Sequence, residues 1–187
     1  MSAPAHPPPR ILVLPGLGGS GPEHWQTRWE ALIPGARRVQ QRDWDHPRLA
    51  DWLAALRRAL AEADGPAVLV AHSLACALVA HAARTDWGAR IRAALLVAPA
   101  DVDSPAHTPP EVRGFAPMPL GPLPFPAHLV ASHDDPYVTF ARARHFAARW
   151  GAAFTDIGAR GHINATSGLG DWDDGRRMLE ALVEGVS

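Results

Sequence analysis

The stretch VLVAHSLACA, residues 68–77, decides the fold of this 187-residue chain. A short apolar run leads into Ser73, and small residues, Ala71 and Ala75, stand two positions before and after it. This is the pattern of a nucleophile elbow, a sharp turn from a strand to a helix that has no room for bulky neighbours. Alanine replaces the usual glycine at both positions, so the motif alone would also fit a serine that caps a helix.

Two polar residues follow later apolar runs and complete the pattern. Asp135 is favoured over Asp134 because it stands three residues before Val138, the offset of the acid in hydrolases of this type. His162 follows in a loop that contains glycine. The chain order Ser, Asp, His is that of α/β-hydrolases and differs from the orders in chymotrypsin and subtilisin. Because parallel strands end at one edge of a sheet, Ser73, Asp135 and His162 are expected to meet there as a serine hydrolase triad.

Short apolar runs alternate with helical patterns along the chain. The predicted strands cover residues 11–14, 67–71, 91–97 and 127–131, with weaker candidates at 37–41 and 153–157. Apolar residues at helical spacing mark helices near residues 25–32, 49–60, 140–150 and 178–183. This alternation predicts an α/β fold, a three-layer sandwich with about six mainly parallel strands, helices on both faces and a minimal cap.

The chain is expected to form one domain over residues 1–187, with a flexible tail over residues 1–9. Residues 99–126 are rich in proline and have no regular period, so they should form either a cap over the site or a passive connection. Their apolar members should contact a substrate or fill a small core of their own: Phe115, Met118, Leu120 and Leu123.

The composition excludes several classes of function. The sequence has no lysine, which excludes a phosphate-binding GxxxxGK loop, a Ser-Lys dyad and a Schiff-base lysine. A net charge of −1 gives no electrostatic reason to expect a nucleic acid or a membrane as partner. One cysteine and no leader-like apolar segment favour a cytoplasmic location. That cysteine, Cys76, should be buried in the elbow helix, and the nine histidines other than His162 should lie at the surface.

A glycine-rich segment, PGLGGSG at residues 15–21, follows the first predicted strand. An oxyanion hole needs two backbone N–H donors, which Leu17 in this segment and Leu74 after the serine could supply. The same glycines, Gly16, Gly18 and Gly21, spell the GxGxxG pattern of a dinucleotide site. The bulky residues at 22–25 and the lack of an acid closing the second strand argue against that alternative.

With these residues identified, the chain resembles the retinoblastoma-binding-protein-9-like serine hydrolases, a compact α/β-hydrolase family. The resemblance covers nearly the whole chain and rests on these motifs: LPGLGGS (14–20), HWQ (24–26), AHSL (71–74), SHDDPY (132–137), GHINA (161–165), SGLG (167–170) and Trp172. It implies a triad of Ser73, Asp135 and His162, small ester or amide substrates, a small cap, and no metal or cofactor. Gly16, Trp25 and Asn164 are further candidates for contact with the substrate.

The partner that gives the family its name is not expected to bind here. Its LxCxE motif needs a glutamate where residues 74–78, LACAL, end in leucine, and that segment should be a buried helix. A binding or scaffold protein that uses a hydrolase fold without catalysis remains the main alternative, because a fold alone does not determine a function.

Overall fold

A computed structural model describes residues 10–63 and 65–186 of the protein. The tail predicted over residues 1–9 lies outside this part of the chain. The structure contains a six-stranded sheet with helices packed on both faces, which confirms the predicted α/β-hydrolase fold. The strands are β1 Arg10–Leu14, β2 Arg37–Arg38, β3 Ala67–His72, β4 Ile91–Val97, β5 Ala127–Ala131 and β6 Ala153–Asp156.

The sheet is parallel throughout and has the order β2-β1-β3-β4-β5-β6. Strand β3 lies between β1 and β4, and all six of its residues are buried. Helices cover both faces of these inner strands, which is why they are apolar along their whole length instead of alternating with polar residues. Strand β2 is shorter than its predicted range, residues 37–41.

In the part of the chain that the structure describes, five α-helices cover the sheet: α1 Trp25–Leu32, α2 Leu49–Ala61, α3 Leu74–Ala82, α4 Phe140–Trp150 and α5 Asp173–Glu184. Helices α2, α3 and α4 share one apolar core with one face of the sheet. Helices α1 and α5 pack on the other face, where Trp29 stacks on Trp172 and Trp25 contacts both rings edge-on. Side chains point alternately to the two faces along β3. Leu69 and Ala71 lie in the first core, with α2, α3 and α4, and Val68 and Val70 lie in the second core, with α1 and α5.

Residues 99–126 form a connection with one short 3₁₀ turn, Pro110–Phe115. The Arg113 guanidinium holds this connection together by donating to the carbonyl oxygens of Val102, Ser104 and Thr108. The sequence left open whether the large apolar residues of this connection contact a substrate or fill a small core of their own, and for three of the four the structure shows a third arrangement. Phe115, Met118 and Leu123 are buried in the first core, where the Phe115 ring packs against Trp52, and only Leu120 is substantially exposed.

Candidate active site

Ser73 occupies a strained backbone turn between β3 and α3. Its φ of 58° and ψ of −121° lie outside the regions that residues with a Cβ normally adopt. The Ser73 N–H donates to the carbonyl oxygen of Val97 at 3.0 Å, and the flanking Ala71 and Ala75 are fully buried. Larger side chains at 71 or 75 would have no space, so the alanines meet the steric requirement that glycine usually meets.

The glycine-rich segment after β1 packs directly against this turn. A Cβ atom on Gly16 would lie 2.9 Å from the Ser73 Cβ and 3.0 Å from the His72 carbonyl oxygen, so only glycine fits there. This close approach brings Leu17 and Leu74 to the same cavity as Ser73. Neither backbone N–H of these two leucines donates to another protein group in the described part of the chain.

The side chains of Ser73, His162 and Asp135 form a continuous hydrogen-bonded chain. The Ser73 Oγ lies 2.8 Å from His162 Nε2, and His162 Nδ1 lies 2.9 Å from both carboxylate oxygens of Asp135. Because a carboxylate only accepts, Nδ1–H donates to Asp135, which leaves Nε2 free to accept the Ser73 hydroxyl. The Asp135 and His162 side chains are almost completely buried, at 1% and 8% exposure, whereas Ser73 is half-buried.

The two neighbouring acids have different contacts. Asp135 also accepts from the Tyr137 N–H, and the Tyr137 ring packs 4.4 Å from the His162 ring. Asp134 is exposed and accepts from the Ser132 hydroxyl and the Gly161 N–H. These two hydrogen bonds hold the pKa of Asp134 below its usual value. Asp134 thus stabilises the loop that carries His162, and Asp135 contacts the imidazole itself.

Two side chains from distant segments hold the loop around His162 by its backbone. His72 Nε2–H donates to the His162 carbonyl oxygen at 2.9 Å, and Trp25 Nε1–H donates to the Ile163 carbonyl oxygen at 2.8 Å. Ile163 lies between these contacts with a positive φ of 49°. Trp25 is only 1% exposed and does not line the cavity, so its assignment as a substrate contact is wrong. Its ring is held in the tryptophan cluster between α1 and the sheet.

A cavity of about 300 Å³ opens beside Ser73. Leu17, Leu74 and Asn164, three of the candidate substrate contacts, line it, and the connection after β4 contributes Ala100, Thr108, Pro109 and Val112. Asn164 Oδ1 accepts from the N–H and the hydroxyl of Thr166, another lining residue. Gly16 supports the cavity from behind Ser73 but does not line it.

The expectation that all other histidines lie at the surface is wrong for His24 and His72. Both are buried and line the cavity, and their rings are 4.7 Å apart. The His72 ring lies a further 4.8 Å from the His162 ring. Gln26, also fully buried, donates to the carbonyl oxygens of Leu14 and Val70 and so fastens α1 to the sheet beside the elbow. The sequence signal for these three residues was their place in the HWQ and AHSL motifs, next to Trp25 and Ser73.

Burial determines the charge state of these groups. It lowers the pKa of His24 from 6.5 to about 4 and holds the pKa of His72 well below 6.5, with a smaller contribution in both cases from the nearby His162. Both histidines are therefore neutral near pH 7. Burial raises the pKa of the Cys76 thiol, whose Sγ lies near the Ala71 and Val97 carbonyl oxygens, so Cys76 has little thiolate character.

Residues 10–63 and 65–186 contain no group of three or more His, Cys, Asp or Glu side chains that could hold a metal ion. The three histidines near Ser73 are close, but His72 Nε2 and His24 Nδ1 are already hydrogen-bonded to backbone groups. In the same part of the chain, the longest α-helix has 13 residues, and none is long and apolar enough to cross a membrane.

Comparison with known proteins identifies the family. A profile described as "Serine hydrolase" matches residues 11–181. The chain belongs to this serine hydrolase family. The match confirms the resemblance to the retinoblastoma-binding-protein-9-like hydrolases that the motifs indicated. No curated protein matched the sequence.

Solved structures give the same result for the fold of this serine hydrolase. A protein described as a YdeN-like hydrolase from Pectobacterium atrosepticum is 33% identical, with 95% of this chain and 91% of that chain covered and a TM-score of 0.83. The ydeN gene product of B. subtilis is 21% identical, with coverage of 94% and 99% and a TM-score of 0.73. The type II thioesterase BorB is 22% identical, with coverage of 97% and 95% and a TM-score of 0.63.

The lowered pKa values of His24 and His72 predict that the protein loses stability in mild acid. Histidines with a lowered pKa bind protons more readily in the unfolded chain, so the free energy of unfolding falls as the pH drops below 6.5. For His24 the loss continues to about pH 4 and reaches about 2 kcal/mol at pH 5.

Denaturant unfolding measures this loss. The free energy of unfolding should differ less between pH 7 and pH 5 in His24→Asn than in the wild type. His145→Asn, at an exposed site on α4, is the control. An equal difference in wild type and His24→Asn would contradict this account.

Proposed function

We propose that this serine hydrolase cleaves small ester or amide substrates through an acyl-enzyme intermediate. One observation carries the proposal: the hydrogen-bonded chain from Ser73 through His162 to Asp135, with Ser73 facing a cavity. The 2.8 Å distance from Ser73 Oγ to His162 Nε2 is within the range for proton transfer between a nucleophile and its base.

In the proposed reaction, the Ser73 Oγ attacks the substrate carbonyl carbon while His162 Nε2 takes the hydroxyl proton. Asp135 keeps the imidazole oriented and stabilises its positive charge. The tetrahedral intermediate then collapses, and His162 gives the proton to the departing alcohol or amine. Water attacks the resulting Ser73 ester with His162 again as base, which releases the acid and restores the serine.

The backbone N–H groups of Leu17 and Leu74 would hold the negative oxygen of the tetrahedral intermediate. Both residues line the cavity beside Ser73, and neither N–H has a protein acceptor within the described residues. Preorganised donors of this kind contribute strongly because they need no rearrangement as the charge develops. The close packing of Gly16 on the elbow supports this role, since it sets the distance between the two donors and the serine.

The dimensions of the cavity support a small substrate. At about 300 Å³ it lies at the lower end of the range for ligand pockets. The wall formed by Thr108, Pro109 and Val112 would select the acyl group, which gives the connection after β4 a role as a minimal cap.

The geometry argues against the dinucleotide alternative for the glycine-rich segment. Such a fingerprint presents phosphate to the N-terminus of a helix that starts within the glycine pattern. Here α1 starts at Trp25, beyond Gly21, and the side chain of His24 already accepts the N–H of Gln26 in its first turn. The scaffold alternative predicts no covalent reaction at Ser73, so labelling by an active-site probe distinguishes it from the proposed function.

Ser73→Ala should abolish both ester hydrolysis and labelling by a fluorophosphonate, because the attacking oxygen is lost. Hydrolysis of 4-nitrophenyl acetate and butyrate gives the first measurement, and mass spectrometry of the labelled peptide gives the second. Thermal unfolding should remain close to that of the wild type. Undiminished labelling in the variant would refute Ser73 as nucleophile, and an unlabelled wild type would favour the scaffold alternative.

Asp135→Asn should lower kcat by about 10⁴-fold, because an amide cannot stabilise the imidazolium or fix its tautomer. Asp134→Asn is the matched control. Its amide oxygen can still accept from Ser132 and Gly161, so kcat should stay within a few-fold of wild type. A reversal of the two effects in steady-state kinetics would show that the acids have been assigned the wrong way round.

Trp25→Phe should lower kcat about 10- to 100-fold with little change in KM, because the loop that positions His162 loses its hydrogen bond to the Ile163 carbonyl. Trp29→Phe is the control for stability. Trp29 is equally buried and donates at the same 2.8 Å distance, but to the Asp171 carbonyl oxygen. Equal losses of kcat in the two variants would mean that Trp25 acts only through general stability.

A further inference from the structure

His24 is a buried polar residue beside the proposed reaction centre that the mechanism does not use. It is 5% exposed, and it lines the same cavity as Ser73. Its ring packs edge-on against the His72 ring at 4.7 Å, and Trp25 follows it directly at the start of α1. It thus projects from the first helix towards the site.

The hydrogen bonds of His24 determine which of its nitrogens carries a proton. His24 caps α1: its Nδ1 accepts the backbone N–H of Gln26 at 3.1 Å, so Nδ1 is unprotonated in the neutral ring. The proton must then be on Nε2. Burial holds the pKa of His24 near 4, which keeps the ring neutral during catalysis near pH 7. His24 therefore presents a single neutral N–H donor.

Within residues 10–63 and 65–186, His24 Nε2 is buried and forms no hydrogen bond. A buried donor without an acceptor costs free energy, and native proteins rarely leave one in place unless a ligand or water completes it. Among the described residues, the cavity lining includes no Asp, Glu, Arg or Lys, so the site favours uncharged ligand groups.

We propose that His24 is a specificity-determining residue whose Nε2–H donates to an uncharged oxygen of the substrate, such as an ether, hydroxyl or carbonyl oxygen. This inference rests on the proposed hydrolase function and names the substrate class of that site. It predicts that the preferred substrate is not a plain hydrocarbon ester. The acceptor oxygen belongs either to the acyl chain or to the alcohol part of the substrate. Its separation from the ester carbonyl must let it reach His24 Nε2 while the carbonyl carbon lies at Ser73 Oγ.

Matched pairs of esters test the proposal. One series places an ether oxygen along the acyl chain, for example 4-nitrophenyl 3-methoxypropanoate against pentanoate, and 4-methoxybutanoate against hexanoate. A second series places it in the alcohol part, as in 2-methoxyethyl against butyl acetate. Each kcat/KM is divided by the rate of hydroxide-catalysed hydrolysis, which removes differences in intrinsic reactivity. One neutral hydrogen bond should favour the ether of at least one pair by about three- to tenfold.

Two variants separate the distal donor from the cap. His24→Asn keeps an N-cap acceptor for Gln26 but lacks the distal N–H, so the preference for the ether should disappear. His24→Gln can place an amide N–H near the position of Nε2 and should retain part of the preference. The ratio within each pair cancels any general loss of activity.

A ratio near one for every pair in the wild type would overturn the proposal. An equal fall for both members of each pair in His24→Asn would also overturn it, because His24 would then serve the reaction centre or the fold. Failure of the hydrolase function is a separate result. In that case, the wild type would hydrolyse none of the esters, or hydrolysis would survive in Ser73→Ala.

Discussion

The strained backbone of Ser73 is the constraint on which the rest of the site depends. A residue with a Cβ at φ 58° and ψ −121° costs about 1–3 kcal/mol, and it persists only where the surroundings fix it. The hydrogen bond to Val97 and the close packing of Gly16 supply that support. Helix α3, almost entirely buried, prevents the turn from relaxing. The turn also leaves the Leu74 N–H beside the serine, where the proposed reaction needs it.

The loop of His162 is held in a different way, by hydrogen bonds to its backbone and to neighbouring groups. Donors from β3 and α1 hold two successive carbonyl groups, and the carboxylate of Asp134 holds the Gly161 N–H. Without these anchors, the His162 ring would sample many positions, most of them with a distance to the Ser73 Oγ longer than 2.8 Å. Anchoring by three segments that are distant in the sequence makes one position dominant. In the proposed mechanism, this anchoring would let side chains that take no part in the bond changes contribute to catalysis.

The polarity of the cavity follows from the burial of its histidines. His24 and His72 lie too deep to hold a proton near neutral pH, so they act there as hydrogen-bonding groups without charge. The same burial ties the stability of the fold to pH. Neutral donors and apolar walls of this kind support the proposal of an uncharged substrate. The proposed recognition of the substrate and the pH dependence of stability would thus both depend on His24.

The sequence by itself determined the fold and the residues that meet at Ser73. The apolar runs predicted the strands, and the small residues around Ser73 predicted the elbow, because the steric limits of such a turn are local. The order Ser, Asp, His predicted which residues meet, because parallel strands end at one edge of a sheet. Only the tertiary structure decided the roles of Trp25, His24 and Phe115. Trp25 supports a backbone carbonyl instead of a substrate, His24 lines the cavity, and Phe115 joins the core. These outcomes depend on contacts between segments that are distant in the sequence. A local sequence pattern does not show which side of a loop or of a helix start another segment will bury.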